Sequence, residues 1–214
     1  LWPVAPAILA AEQQLDAWLR IHHGRVAAAW PIDALRALRE KITREQPHLA
    51  HDFTAQRLLT LRHAFASCAI DDAPVADAFE VYYAARNRVE CYSDALPALS
   101  AMAARVPLVS ISTGNADLER IGLDHHFRHR ICARDLGCAK PAAAIFHEAC
   151  TRLGLAPANV LHVGDDPSLD VGGAHAAGLR TAWLNRSAAE WREADAPDLE
   201  FKDLGELARW VEYH

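Results

Sequence analysis

The sequence predicts an α/β protein in which a parallel sheet is covered by helices and a purely helical block precedes it. Three observations predict this. Amphipathic helix patterns run without a strand up to roughly residue 90 of 214; short apolar runs then alternate with helical patterns; and several of those runs end in glycine, hydroxyl or carboxylate residues. Strands that alternate with helices need crossover connections, which impose parallel pairing.

The helical block divides at its turn signals. "PAILAAEQQLDAWLRIHHG" has Pro6 near its start, Ile8, Leu15 and Leu19 on one face and Gly24 as a C-cap. "WPIDALRALREKI" places Pro31 at the first helical position and spaces Ile32, Leu35, Leu38 and Ile42 along a stripe. Phe53, Leu58, Leu61, Phe65 and Cys68 mark a third helix, and "APVADAFEVYYAARNRV" a fourth, which together suggest a small bundle. Beyond it, "PLVSIS" (107–112), "RICA" (130–133), "NVLHV" and "LRTAWL" read as strands, with helices around 115–121, 141–153 and up to Gly178 between them. "LEFKDLGELARWVEYH" adds a short strand and a terminal helix.

Composition narrows the partners. A chain that is 51% hydrophobic can bury one good core, or one core plus a smaller unit. A net charge of -6 without a Lys/Arg run offers no footprint for nucleic acid or for an anionic membrane, so a small soluble partner is expected, with monomer and homodimer both open. Five scattered cysteines without a C-x-x-C predict reduced thiols and a cytoplasmic protein. No apolar stretch approaches the ~20 residues of a membrane span. "LWPVAPAILAAEQQL" lacks a basic leader region and is interrupted by Glu12 and Gln13, so it reads as a helix entry.

Ligands of parallel sheets bind beyond the carboxyl ends of the strands, and three stretches fall there. In "ISTGN", Ser112, Thr113 and Gly114 leave a strand and are expected to open a helix, offering a hydroxyl and free N–H groups to an anion, or simply a helix cap. In "GCAKPAAAIF", Lys140 stands before Pro141 at an expected helix start, where a cation meets the positive end of the dipole and asks for an anion nearby. In "NVLHVGDDPSLDVGGAHAAGL", Asp165 and Asp166 end a strand and Asp170 comes one turn later. Capping explains Asp166 with Pro167 behind it; a hard divalent cation explains Asp165. "LDHHFRHR" invites a metal reading for His125, His126 and His129, but its spacing fits an exposed loop better.

"SISTGN", "AKPAAAIF" and "LHVGDDPSLDVGGAHAAGLRTAWL", in this order and at these intervals, resemble the haloacid dehalogenase-like (HAD) superfamily. The resemblance covers about 90–190 and implies a Rossmann-like core with helices on both faces of its parallel sheet (89–214, with 1–4 as its edge) and an inserted helical cap (5–88). It implies a phosphatase that acts through an aspartyl-phosphate on a small phosphorylated metabolite. Ser112, with Thr113 and Gly114, would bind the phosphoryl oxygens and Lys140 would neutralise the charge shared by nucleophile and phosphate, while Asp165, Asp166 and Asp170 would lie in or beside a Mg²⁺ shell. The family's D-x-D-x-T motif, which carries the nucleophile, is absent. "LWPVAPAILAAEQQ" resembles the segment just after that motif, so the nucleophilic aspartate is expected upstream of Leu1. The alternatives are a metal-free 2-haloacid dehalogenase and a catalytically inactive binding protein with the same fold.

Overall fold

The computed structural model describes Leu1–His214. It contains two compact units: one comprises residues 2–90 with 114–121, the other Leu1 with 91–113 and 122–214. The expected boundaries, 5–88 and 89–214, differ mainly at 114–121, which falls with the helices although the sequence surrounds it with strands.

The helical unit is built from α1 (Val4–His22), α2 (Gly24–Ala29), α3 (Ile32–Glu45), α4 (Phe53–Ser67) and α5 (Val75–Arg86). On α1 the buried Ala7, Ala11, Leu15 and Leu19 recur every four residues and so share one face. That face packs on α5, and Val26, Leu35, Leu61 and Phe65 complete the core. Burying each of the larger side chains contributes on the order of 1.5–3 kcal/mol before entropy is counted. Gly24, expected as a C-cap, instead opens α2; the helix break falls one residue earlier, at His23, whose N–H still reaches Leu19 O at 2.7 Å.

Residues 114–121 join this unit through side chains rather than through their own helix, which is the single turn α6 (Leu118–Ile121). Asp117 N–H donates to Asn87 Oδ1 at 2.7 Å, and its carboxylate accepts from Tyr83 Oη at 3.4 Å. Arg120 pairs with Glu80 at 2.5 Å and lies over the Tyr83 ring.

The other unit is the α/β core. Its strands are β1 (Val109–Ser112), β2 (His129–Cys132), β3 (Leu161–Gly164), β4 (Arg180–Leu184) and β5 (Leu199–Phe201). All pairing is parallel, but the strands form two sheets, β1-β2 and β3-β4-β5. The consequence shows in burial: β4, paired on both edges, buries Thr181 to Leu184, whereas every residue of β1 and β3 is only half-buried. Helices cover both faces, because side chains alternate along a strand. Leu161, Val163, Ala182 and Leu184 pack with Ala95–Ala103 and Leu204–Tyr213, while Val109, Ile111 and Ile131 pack with Ala143–Leu153 and Gly173–Ala176.

Candidate active site

The end of β3 holds the densest polar arrangement of the core. Asp166 caps the following turn, its carboxylate accepting from Ser168 N (3.0 Å) and Leu169 N (2.8 Å), with Pro167 at the first helical position. Residues Pro167–Gly172 then wind as a π-helical turn, a wider coil than an α-helix. That turn carries Asp170 back over the strand end, where its Oδ2 accepts from Asp166 N at 3.1 Å. Its Oδ1 accepts from Lys140 Nζ at 2.5 Å and lies 3.0 Å from His162 Nε2.

Two glycines permit this closure. A Cβ on Gly164 would lie 2.1 Å from Asp170 Cγ, so only glycine lets the carboxylate settle on the strand end. A Cβ on Gly173 would lie 2.9 Å from Pro141 Cα, so the second glycine lets the turn after Asp170 approach the Lys140 segment.

Electrostatically, Asp170 is a buried anion with two partners. Burial pushes its carboxyl up, but the His162 hydrogen bond and the charges of Lys140 and His162 outweigh it and hold the pKa at about 2. Lys140 has thus found the anion that its sequence position asked for. It does so ahead of the helix and not at its first turn, because the helix begins only at Ala143.

Asp165, Asp166 and Asp170, expected in or beside a magnesium shell, have three different surroundings. Asp166 caps, Asp170 pairs with Lys140 and His162, and Asp165 alone is exposed. No three acidic, histidine or cysteine side chains anywhere are grouped to hold a metal ion. The donor set fits a hard cation at one residue, Asp165. Its backbone is fixed by Trp183 of β4, whose Nε1–H donates to Asp165 O at 3.1 Å.

Ser112 ends β1 in register with Cys132, at the carboxyl end of its sheet, as Gly164 ends β3. The helix expected to open at Ser112, Thr113 and Gly114 does not: the next helical turn starts at Leu118, and Gly114 already belongs to the helical unit. The hydroxyl of Thr113 is buried and makes no hydrogen bond. Such a group costs on the order of 1–3 kcal/mol while it stays unpaired, so it is a candidate contact for a ligand at the strand end. The rings of His125 and His126 lie 4.0 Å apart, tilted by 41°.

Sequence reasoning passed over His162, Trp183 and the pair Arg186–Asp94. His162 did leave a signal, a polar residue inside the apolar run "NVLHV" two positions before Gly164. Arg186 meets Asp94 at 2.6 Å, lies over Tyr92 and, with the Leu204 N–H, holds the Asp94 carboxyl below its usual range. A 92-residue separation hides that pair from any local pattern.

The family model for haloacid dehalogenase-like hydrolases matches residues 3–178, and the chain belongs to that family. It is a hydrolase of the α/β class with a Rossmann-like core. Over 99% of its length it is 28% identical to the 5-amino-6-(5-phospho-D-ribitylamino)uracil phosphatase YigB of Escherichia coli (strain K12), covering 92% of that protein. A phosphoserine phosphatase of Thermus thermophilus is 33% identical over 60% of this chain and 54% of its own length. A solved structure described as 2-haloacid dehalogenase from Pseudomonas syringae pv. Tomato DC3000 superposes with a TM-score of 0.90 at 35% identity, covering 98% of this chain and 94% of that one.

Proposed function

We propose that the protein is a Mg²⁺-dependent phosphatase that hydrolyses a small phosphomonoester through an aspartyl-phosphate. The observation that carries this reading is the division of labour at the end of β3. Lys140 is held by a buried Asp170, while Asp165 remains an exposed carboxylate close to Asp170 in sequence, free to hold a hard cation. A metal-free dehalogenase has no use for that carboxylate. The likeness to YigB, which spans nearly the whole chain, supports the same choice.

In this reading the nucleophile is an aspartate of a segment ahead of Leu1 that runs as a strand between β1 and β3. Each of those strands is paired on one edge only and is half-buried. Unpaired backbone groups inside a core cost on the order of 1–3 kcal/mol each, and one parallel strand would satisfy both edges. Leu1 O accepts from Tyr92 N–H at 3.0 Å, and the Leu1 nitrogen lies within electrostatic range of Asp165. A strand arriving at Leu1 would therefore end beside Asp165.

Each side chain then has one task. The upstream aspartate attacks phosphorus and the alcohol leaves; water later releases phosphate from the aspartyl ester. The Ser112 hydroxyl and the Thr113 segment donate to phosphoryl oxygens, with Gly114 leaving the backbone room to approach. The Lys140 ammonium offsets the charge of nucleophile and phosphate, and Asp170 positions Lys140. Magnesium, held through Asp165, supplies further neutralisation of phosphoryl charge when bound. The helical unit serves as a cap that selects the substrate. A net charge of -6 supports a small metabolite as the partner, and five free cysteines support a reducing, cytoplasmic setting.

The test uses the protein produced with its upstream segment, assayed against a panel of phosphorylated metabolites and 2-chloropropionate, with EDTA and after Mg²⁺ is restored. Phosphate release that EDTA abolishes and Mg²⁺ restores is expected. Asp165→Asn should raise the Mg²⁺ needed for half-maximal rate by about tenfold or more, the weight of one charged ligand. Halide release insensitive to EDTA would make the protein a dehalogenase, and no turnover in either assay would make it a binding protein.

A further inference from the structure

A second polar site lies at the opposite end of the β1-β2 sheet, and none of the chemistry above uses it. Residues Asp124–His126 form a 3₁₀ turn, Phe127 and Arg128 come next, and β2 begins at His129. Together with Arg152 on the Ala143–Leu153 helix, this stretch lines a cleft of about 470 Å³. Val109 pairs with His129 and Ser112 with Cys132, so the cleft opens at the amino end of β2 and Ser112 sits at the carboxyl end. At about 3.3 Å per residue the two ends are roughly 10 Å apart along the strands.

The cleft is cationic in a chain of net charge -6. Arg128, Arg130 and Arg152 are all exposed within it, and His125 and His129 stand beside them. Asp124 lies 3.9 Å from Arg130, a loose pairing, and Glu148, one helical turn before Arg152, meets Arg152 Nε at 2.8 Å. Arg152 also reaches Arg130 O at 3.4 Å, which brings the two guanidinium-bearing elements together. Arg128 is positioned by its backbone, whose N–H donates to Leu108 O at 2.8 Å. Phe127, the one apolar residue of the lining, packs on the core behind it.

Arg128, Arg130 and Arg152 bring three positive charges to one concavity, which also receives the carboxylates of Asp124 and Glu148. Each guanidinium presents planar donors suited to phosphate or carboxylate oxygens, and a multivalent anion is the ligand that would engage all three at once. We infer that this cleft is an anion site for a small polyphosphate, a ligand with two or more linked phosphoryl groups, distinct from the site at the strand carboxyl ends. A single orthophosphate would engage only part of the arginine set, so a diphosphate is the smallest ligand matched to it.

Titration calorimetry of the 214-residue chain with inorganic diphosphate tests the site without any turnover. Saturable binding is expected that exceeds orthophosphate binding by at least tenfold and weakens as salt rises. Arg128→Ser with Arg152→Ser, both exposed positions, should weaken diphosphate at least tenfold with unchanged circular dichroism, whereas Ser112→Ala should leave it within twofold. Retention of full affinity by the double variant, loss of affinity in Ser112→Ala, or tighter binding of single-stranded RNA than of diphosphate would each overturn the assignment.

Discussion

Two buried carboxylates in this molecule have nearly the same chemistry and different surroundings. In the helical unit Glu12 is 4% exposed, pairs with Arg36 at 2.6 Å and meets the buried Arg57 at 3.4 Å, with Arg57 lying over the Tyr82 ring. In the core Asp170 is 3% exposed and pairs with Lys140 and His162. The Glu12 cluster is enclosed by helices that bury Leu15, Leu61 and Tyr82 around it. Asp170 instead sits at the carboxyl end of a strand, close to an exposed Asp165 and against a glycine that no other residue could replace without displacing it. A buried ion pair by itself therefore does not mark a candidate site. What singles out the Asp170 pair is its place at a strand end, where ligands of parallel sheets bind.

The largest effect that could break this comparison comes from removing either anion. Asp170→Ala strands Lys140 beside His162 and should cost about 3–5 kcal/mol in urea unfolding; under the proposed function it should also abolish turnover, since Lys140 loses its position. Arg57→Leu removes one of two partners of Glu12 and should cost about 2–3 kcal/mol, because Arg36 still pairs. Under the proposed function it should leave the Mg²⁺ requirement of turnover unchanged. If Arg57→Leu altered that requirement, the division between a structural and a functional pair would fail.

Acid separates the two more finely. Asp170 has its pKa held at about 2 against an ordinary value of 3.8, so its pairing contributes stability that is present above about pH 4 and lost as pH falls towards 2. The amount is about 2 kcal/mol. Unfolding free energies measured at intervals across that window should show the loss in the wild type and a flatter profile in Asp170→Asn. The smallest effect belongs to Asp166. Asp166→Ala removes two cap hydrogen bonds and should cost about 1 kcal/mol, readable as a shift in the urea midpoint at constant slope.

Much of the architecture was legible locally. The runs at 107–112, 130–133, 159–163 and 179–184 became β1 to β4 within two residues, because an apolar run bounded by turn residues leaves few alternatives. Asp166 as a cap was legible for the same reason, since the cap and the N–H groups it serves lie within three residues. The helix expected after Ser112 shrank to one turn because Asp117 and Arg120 are bound by Asn87, Tyr83 and Glu80, partners some thirty to forty positions away. In the sequence Glu12 reads only as a polar interruption of an apolar helix entry; its two arginines, 24 and 45 residues distant, take it inside.

By itself the sequence determined the order of elements, the parallel pairing and the need of Lys140 for an anion, because these arise from periodicity and charge within a few neighbouring residues. The tertiary structure alone decided that the anion is Asp170 and not Asp165, and that His162 and Trp183 complete the strand end. Those outcomes depend on which distant groups burial brings within hydrogen-bond distance, and a carboxylate's neighbours in space, not in sequence, fix its charge and its use.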